Sequence, residues 1–202
     1  MSKIKMLNCY AGVGGNVKLL DRDKVDITAI EINPKIAGCY KKLFPQDTVI
    51  VDDAHEYLRT HFREFDFIWA SPPCPTHSVL QLSRSNDSNL KYPDMTLYQE
   101  IILLNQFYKG VFCIENVRPY YKTLIEPSFC IGRHLFRANK FILTNQFINT
   151  YNKDVSRDKK ENLADTLGFN IEDLQNMGVE VRKVLRNCVR PEIGKYIFEN
   201  LL

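Results

Sequence analysis

Ile4-Lys5-Met6-Leu7-Asn8-Cys9-Tyr10-Ala11-Gly12-Val13-Gly14-Gly15 decides the architecture of this chain. An apolar run of strand length stops at a cluster of glycines, and a helical stretch is expected behind them. Glycines at such a turn leave backbone amides bare, so a ligand can approach closely, although a tight strand-to-helix connection needs the same residues.

The same unit recurs downstream. Residues 27–31 (Ile-Thr-Ala-Ile-Glu) read as a second strand, and Asn33-Pro34 opens a helix to about residue 44, with proline at a favoured first-turn position. Residues 48–51 form a third strand, followed by a helix over 54–62. A fourth strand, 65–70, is broken by Ser71-Pro72-Pro73; a helix near 95–108 then leads into a fifth strand at 111–114. Repeated strand–helix units with short connections predict an α/β fold with a doubly wound, mostly parallel sheet, which binds ligands beyond the C-terminal ends of its strands. The apolar runs 129–136 and 141–148 have no helix between them and are expected to pair as a C-terminal hairpin. Residues 150–163 are strongly polar and read as a linker or loop. Beyond them Asn170 begins a capped short helix, and 181–202 have helical periodicity interrupted at Pro191.

With 202 residues the chain holds about one domain, and the whole of 1–202 is read as one. Its 45% hydrophobic and 25% charged residues are a globular balance, which excludes disorder and collagen-like repeats. No apolar run approaches the roughly 18 residues that span a membrane, and no signal-peptide pattern precedes the first strand. The expected setting is the cytoplasm, without a membrane. The six cysteines form no Cys-x-x-Cys pair, so neither a zinc site nor a disulfide framework is expected, and five of them read as small core residues. A net charge of +3 is too small to indicate nucleic acid by itself.

Chemistry concentrates at the strand ends. Glu31, about 20 residues beyond the glycine turn, stands where a carboxylate can grip ribose hydroxyls, and Asp53 could accept from an adenine amino group. Either could instead be solvated or cap the next helix, but the glycine turn and two acids at successive strand ends together favour an adenosyl ligand. The turn lacks the basic residue of a phosphate-cradling loop, which favours S-adenosylmethionine over a nucleoside triphosphate. Cys74 follows a rigid Ser71-Pro72-Pro73 bend after strand four. A thiol there can attack an electron-poor pyrimidine at C6 or can simply be structural. Glu115 ends strand five. A carboxyl there can bond ring N3 and the exocyclic amine and relieve the charge that such an attack creates, or it can pair with Arg118.

The ordered set Tyr10-Ala11-Gly12-Val13-Gly14-Gly15, Glu31, Asp53, Pro72-Pro73-Cys74-Pro75-Thr76-His77-Ser78 and Glu115-Asn116-Val117 resembles the motifs of DNA (cytosine-5)-methyltransferases over residues 5–118. Asn187-Cys188-Val189 resembles that family's closing motif. The resemblance implies a Rossmann-like S-adenosylmethionine-dependent methyltransferase fold, methyl transfer to carbon 5 of a cytosine flipped out of duplex DNA, and no metal. Cys74 would be the nucleophile, Glu115 would hold the base, and Arg133 would contact the pyrimidine 2-oxygen. Tyr10, Ala11, Gly12, Gly14, Gly15, Glu31, Ile32, Asp53, Ala54, Pro72, Asn187 and Val189 would line the cofactor pocket. Ser78, Asn116, Val117 and Arg137 would contact substrate. A prokaryotic or phage-encoded origin, acting in the host cytoplasm, is also implied.

The chain departs from the family in three places. Its arginines after the glutamate motif, Arg133 and Arg137, are spaced more widely. Arg186 stands where the closing motif begins with glycine, and one proline, Pro191, replaces two. Only about 35 residues, roughly 150–185, occupy the place of a long recognition region, with 186–202 as a tail returning to the cofactor pocket. Base-edge readout then has little protein to work with, so a protein partner or oligomer that supplies recognition is expected. Residues 79–97, which include Arg84 and Lys91, follow Cys74 as a closing loop would. Residues 118–142 hold five basic side chains (Arg118, Lys122, Arg133, Arg137, Lys140) against Glu126, with Tyr120, Tyr121 and Phe136 interleaved, a pattern that suits a nucleic-acid backbone. Two further readings stand beside the enzyme: an inactive or partner-dependent DNA-binding subunit of the same fold, and an RNA cytosine methyltransferase.

Overall fold

The computed structural model describes residues 2–84, 91–144 and 158–202. Seven strands form one sheet in the order β3-β2-β1-β4-β5-β7-β6. Strands β1 (Ile4–Cys9), β2 (Val25–Ile30), β3 (Thr48–Ile50), β4 (Phe67–Ala70) and β5 (Val111–Val117) run parallel, while β7 (His134–Ala138) pairs antiparallel with both β5 and β6 (Phe129–Ile131). The chain builds outward from β1 through β2 to β3, then returns to place β4 on β1's other side. The crevice beyond β1 and β4 is therefore the topological switch point of a Rossmann-like sheet, where ligands bind.

The strands are nearly continuous apolar runs because helices cover both faces. On one face Leu7, Cys9, Ile30, Ile68, Ala70, Phe112 and Ile114 pack with Leu58 of α2 (Ala54–His61) and with Leu97, Ile101 and Leu104 of α3 (Thr96–Phe107). On the other, Met6, Ile27, Phe67 and Trp69 pack with α1 (Pro34–Leu43) and with four helices from the C-terminal third. Helix α1 starts as its sequence dictates: Asn33 accepts from the Lys35 and Ile36 amides, and Pro34 takes the first helical position.

Three local expectations are corrected. Behind the glycine turn lies only a single 3₁₀ turn, Gly15–Val17, not a helix. The chain leaves Gly14 at φ 76, and Arg22 soon afterwards bonds Asp47 through both Nε and Nη2, which commits the segment to returning as β2. The apolar face over β1 is covered instead by α4 (Lys160–Leu167), α5 (Ile171–Gln175), α6 (Val181–Arg186) and α7 (Pro191–Leu201). Helix α4 thus begins inside the stretch read as linker. Leu163, Leu167, Leu174, Val184 and Leu185 are all buried in the core that holds Val13 and Val17.

The hairpin is the third correction. It forms within the first of the two apolar runs, where Gly132 at φ 58 turns β6 into β7, and residues 141–144 lie beyond it without regular structure. Residues 145–148 and 150–157, and 85–90 of the expected closing loop, lie outside the described residues. Among the described residues no helix is long and apolar enough to cross a membrane.

Candidate active site

Cys9 ends β1 and Ala70 ends β4 side by side in the parallel register, so the glycine turn and Ser71-Pro72-Pro73-Cys74 leave the same edge together. Trp69 fixes the start of the second segment. Its ring is buried, and its indole N–H, which needs a partner there, donates to Ser71 Oγ at 2.9 Å. Asn116, 1% exposed at the end of β5, donates through Nδ2 to the Pro72 carbonyl at 3.0 Å. Pro72 and the end of β5 are thereby held together.

After Cys74 the chain turns at once, with the His77 and Ser78 amides donating to the Cys74 carbonyl at 3.0 Å each. This turn is fastened to the segment that follows β5. The buried His77 ring meets the Tyr121 hydroxyl at 2.5 Å, the Tyr120 amide donates to the His77 carbonyl, and Ser78 bridges to Pro119. Burial holds the His77 imidazole below its ordinary value, which favours the neutral ring. Cys74 and Glu115 thus belong to one braced unit. The Cys74 thiol is half-buried; burial first, then the Glu115 charge, raises it, while Arg133 and Arg186 pull it down.

Glu115 is 6% exposed and lies on the face of β5 that carries Phe136 of the neighbouring strand. Its Oε1 meets His134 Nδ1 at 2.5 Å. Arg133, in the hairpin turn, donates through Nη2 to the Arg186 carbonyl at 2.8 Å and through Nε to His134 Nε2 at 3.4 Å. Arg137, expected to contact substrate, is placed elsewhere. It pairs with Ile114, one residue out of phase with Glu115, so it faces the opposite side of the sheet. There it is 3% exposed, donating from Nε to the Ile125 carbonyl and from Nη2 to Thr123 Oγ1. The basic stretch is also largely spent internally, since Lys140 donates to the Leu201 carbonyl as Arg133 and Arg137 do to theirs. Arg118 and Lys122 remain exposed.

Around the glycine turn the expected residues converge. Glu31, 9% exposed, accepts from the Gly12 amide at 3.0 Å through Oε2 and from the Asn33 amide at 2.9 Å through Oε1, which locks the carboxylate between the turn and the end of β2. The tail reaches the same place: a Cβ on Gly15 would lie 2.6 Å from the Val189 carbonyl and 2.9 Å from Cys188 Cβ. Val189 is buried in this contact, while Asn187 is exposed at the end of α6. Of the five cysteines read as core residues, Cys9, Cys39 and Cys113 are buried, Cys188 is half-buried, and Cys130 is exposed on β6.

Asp53 serves as the N-cap of α2, with Oδ1 accepting from the His55 and Glu56 amides at 2.8 and 3.2 Å. The Asp53→Ala variant is expected to lose about 1 kcal/mol of stability in urea titrations with no ligand present. Unchanged stability would show that the cap contributes nothing.

One cluster has a signal that the sequence reading passed over. Tyr10 adopts φ 58, uncommon for a residue with a side chain, and its hydroxyl donates to Glu100 Oε1 at 2.5 Å. His55 Nδ1 meets the same oxygen at 3.1 Å. Glu100 is fully buried, and burial raises its carboxyl against the pull of both partners. The available signal was its position: Glu100 shares the apolar face of α3 with Leu97, Ile101 and Leu104. Among the described residues no group of three or more His, Cys, Asp or Glu could hold a metal ion.

The family model for C-5 cytosine-specific DNA methylase matches residues 4–124. No curated protein matches the chain. Among solved structures it is similar to the SAM-dependent methyltransferase from Agrobacterium tumefaciens, with 13% identity over 62% of this chain and 41% of that one and a TM-score of 0.43. It is also similar to the methyltransferase EhMeth of Entamoeba histolytica, with 17% identity over 58% of this chain and 39% of that one and a TM-score of 0.37. A DNMT2 mutant from Spodoptera frugiperda shows 25% identity over 57% of this chain and 36% of that one, with a TM-score of 0.37. The chain therefore spans about two fifths or less of each of these proteins.

Proposed function

This chain belongs to the C-5 cytosine-specific DNA methylase family, and we propose that it transfers a methyl group from S-adenosylmethionine to carbon 5 of cytosine in DNA through a covalent bond to Cys74. The observation that carries this reading is the bracing of Cys74 and Glu115 at the ends of the adjacent parallel strands β4 and β5, close enough for the glutamate's charge to act on the thiol.

The residues of the glycine turn fit an adenosyl group. A Cβ at Gly12 would meet nothing within 4 Å, so the turn has open space above it. Beside it the Glu31 carboxylate is fixed, and Ile32 is 65% exposed, offering an apolar face of the kind an adenine ring covers. Tyr10, Glu31, Ile32 and Val189 would hold the cofactor, which supplies an electrophilic methyl group when bound.

The chain's own residues then act on the base. The Cys74 sulfur adds to ring carbon 6, and the bond to C6 forms as electron density moves towards N3 and C5. Glu115 holds a proton against N3 and accepts from the exocyclic amine, which stabilises the electron-rich ring. Arg133, next to Glu115's partner His134, would contact the 2-oxygen. Once C5 has taken the methyl, a base removes the C5 proton, and the electron pair left behind expels Cys74.

Target recognition would come from outside the chain, from a protein partner or a second copy. What favours this is that α4, α5 and α6, where a reader would be expected, bury Leu163, Leu174 and Val184 in the core. Duplex DNA incubated with the purified protein and S-adenosylmethionine should therefore carry bisulfite-resistant cytosines with little common sequence around them. Complete conversion of the DNA would overturn the proposed activity, and a sharp shared motif would overturn the need for a partner.

A further inference from the structure

We infer that His134 is a positioning residue for Glu115, held in one tautomer by Arg133, so that the C-terminal tail and the base-binding carboxyl are linked through a single hydrogen-bonded chain. The inference rests on the reading of Glu115 as the group that holds the base.

Arg133 Nε–H can only donate, and it points at His134 Nε2 at 3.4 Å. That nitrogen must then be the acceptor, which leaves the ring's proton on Nδ1. Nδ1 faces Glu115 Oε1 at 2.5 Å, so that proton is directed onto the carboxyl oxygen. One neutral imidazole thus satisfies both neighbours; a doubly protonated ring would set an N–H against the Arg133 donor. Arg133 is itself anchored by Nη2 on the Arg186 carbonyl at 2.8 Å, at the C-terminal end of α6. The chain therefore runs from the tail carbonyl through Arg133 and His134 to Glu115.

Its consequence is orientation. With one lone pair of Oε1 engaged by His134, the Glu115 carboxyl cannot rotate freely, and both of its oxygens are fixed relative to a base. His134 opens β7 opposite Val117, so the strand register holds the ring in place. A carboxyl held in this way has less conformational freedom to lose when substrate binds, and such preorganisation acts on the chemical step.

Two readouts on the 202-residue chain test the inference. Imidazole nitrogen NMR of the wild type should show His134 neutral with its proton on Nδ1, and Arg133→Leu, which removes the donor onto Nε2, should weaken that preference. A doubly protonated ring, or a proton on Nε2, overturns the chain whether or not the protein methylates DNA. In steady-state methylation, His134→Phe should lower kcat about 100-fold with the cofactor KM unchanged, while His134→Asn, whose side-chain amide can still donate to Glu115, should recover to within about tenfold of wild type. Equal losses in both variants, or a His134→Phe enzyme within threefold of wild type, overturn the inference. A wild type that methylates no cytosine overturns the functional reading instead, and the tautomer measurement still decides the hydrogen-bond chain.

Discussion

Replacing Cys74 with serine is expected to abolish methyl transfer while leaving the fold and cofactor binding intact. Serine is nearly the size of cysteine and keeps the backbone that matters here: the turn after residue 74 is built on its carbonyl, which takes the His77 and Ser78 amides. What changes is the nucleophile. A hydroxyl is far less acidic than a thiol and less nucleophilic, and the half-buried position, where desolvation already opposes a negative charge at Cys74, opposes an alkoxide more strongly. The two arginines whose charge favours the thiolate, Arg133 and Arg186, cannot close that gap. Loss of a covalent nucleophile costs at least about a thousandfold in rate and can reach about a millionfold.

The direct measurement uses DNA containing 5-fluorocytosine, in which the fluorine at carbon 5 prevents release of the enzyme. Wild type plus S-adenosylmethionine should give an adduct that survives a denaturing gel, and Cys74→Ser should give none, with cofactor binding by calorimetry within a few-fold of wild type. A serine variant that retains more than a few per cent of the activity would sink the covalent route.

Replacing Gly194 with alanine is expected to lower the melting temperature by roughly 5–15 °C, against the direction that helix propensity predicts. Alanine in a helix interior is normally about 1 kcal/mol better than glycine. At Gly194, however, an added Cβ would lie 2.0 Å from the Asn16 carbonyl oxygen and 2.7 Å from Asn16 Cα. These are backbone atoms of the 3₁₀ turn and cannot swing aside. Asn16 is also fixed by its side chain, which donates to Asn8 Oδ1 at 2.9 Å in a buried contact. Helix α7 would have to lift off, disturbing the Phe67–Phe198 ring contact, whose centroids are 5.0 Å apart. A clash this deep against fixed backbone costs more than ordinary overpacking, about 3–5 kcal/mol, and so exceeds the propensity gain of about 1 kcal/mol. A net loss of about 2–4 kcal/mol corresponds to the stated shift for a domain of this size.

Gly38 supplies the control. It sits within α1, where an added Cβ meets nothing within 4 Å, so Gly38→Ala should stabilise the protein by up to about 1 kcal/mol. If both glycines respond alike in thermal unfolding, close approach of α7 to the glycine turn is not what Gly194 provides. Because that turn is also the proposed cofactor site, Gly194→Ala should weaken S-adenosylmethionine binding, which Gly38→Ala should leave unchanged.

Much of the scaffold is legible in the order of residues alone. The apolar runs leading to Cys9, Ile30 and Ala70 are near-continuous because both faces of a parallel sheet are covered, and that pattern is written locally. Asn33-Pro34 marks a helix start through a cap and first-turn geometry, which involve neighbours three or four residues away, and Pro191, read as an interruption, is the first residue of α7. The set of strand-end residues from Gly12 to Glu115 was equally visible, because a parallel sheet delivers the ends of its strands to one edge whatever the details of packing.

What only the tertiary structure decided depends on contacts between distant parts of the chain. Placing the hairpin turn at Gly132 sets the register of β7, and a strand's two-residue period then sends Arg137 to the face opposite Glu115 while putting His134 within bonding distance of it. Nothing in the order of residues 131–139 distinguishes that register from its neighbour. The missing helix after β1 was hidden for a related reason. Residues 16–24 can turn back early only because α4 to α7, which begin at Lys160, supply the apolar cover that a local helix would have given. Periodicity and capping are short-range and leave their mark in the sequence, whereas register and the docking of the tail are settled by packing across the whole fold, where single atoms such as the absent Cβ of Gly194 decide.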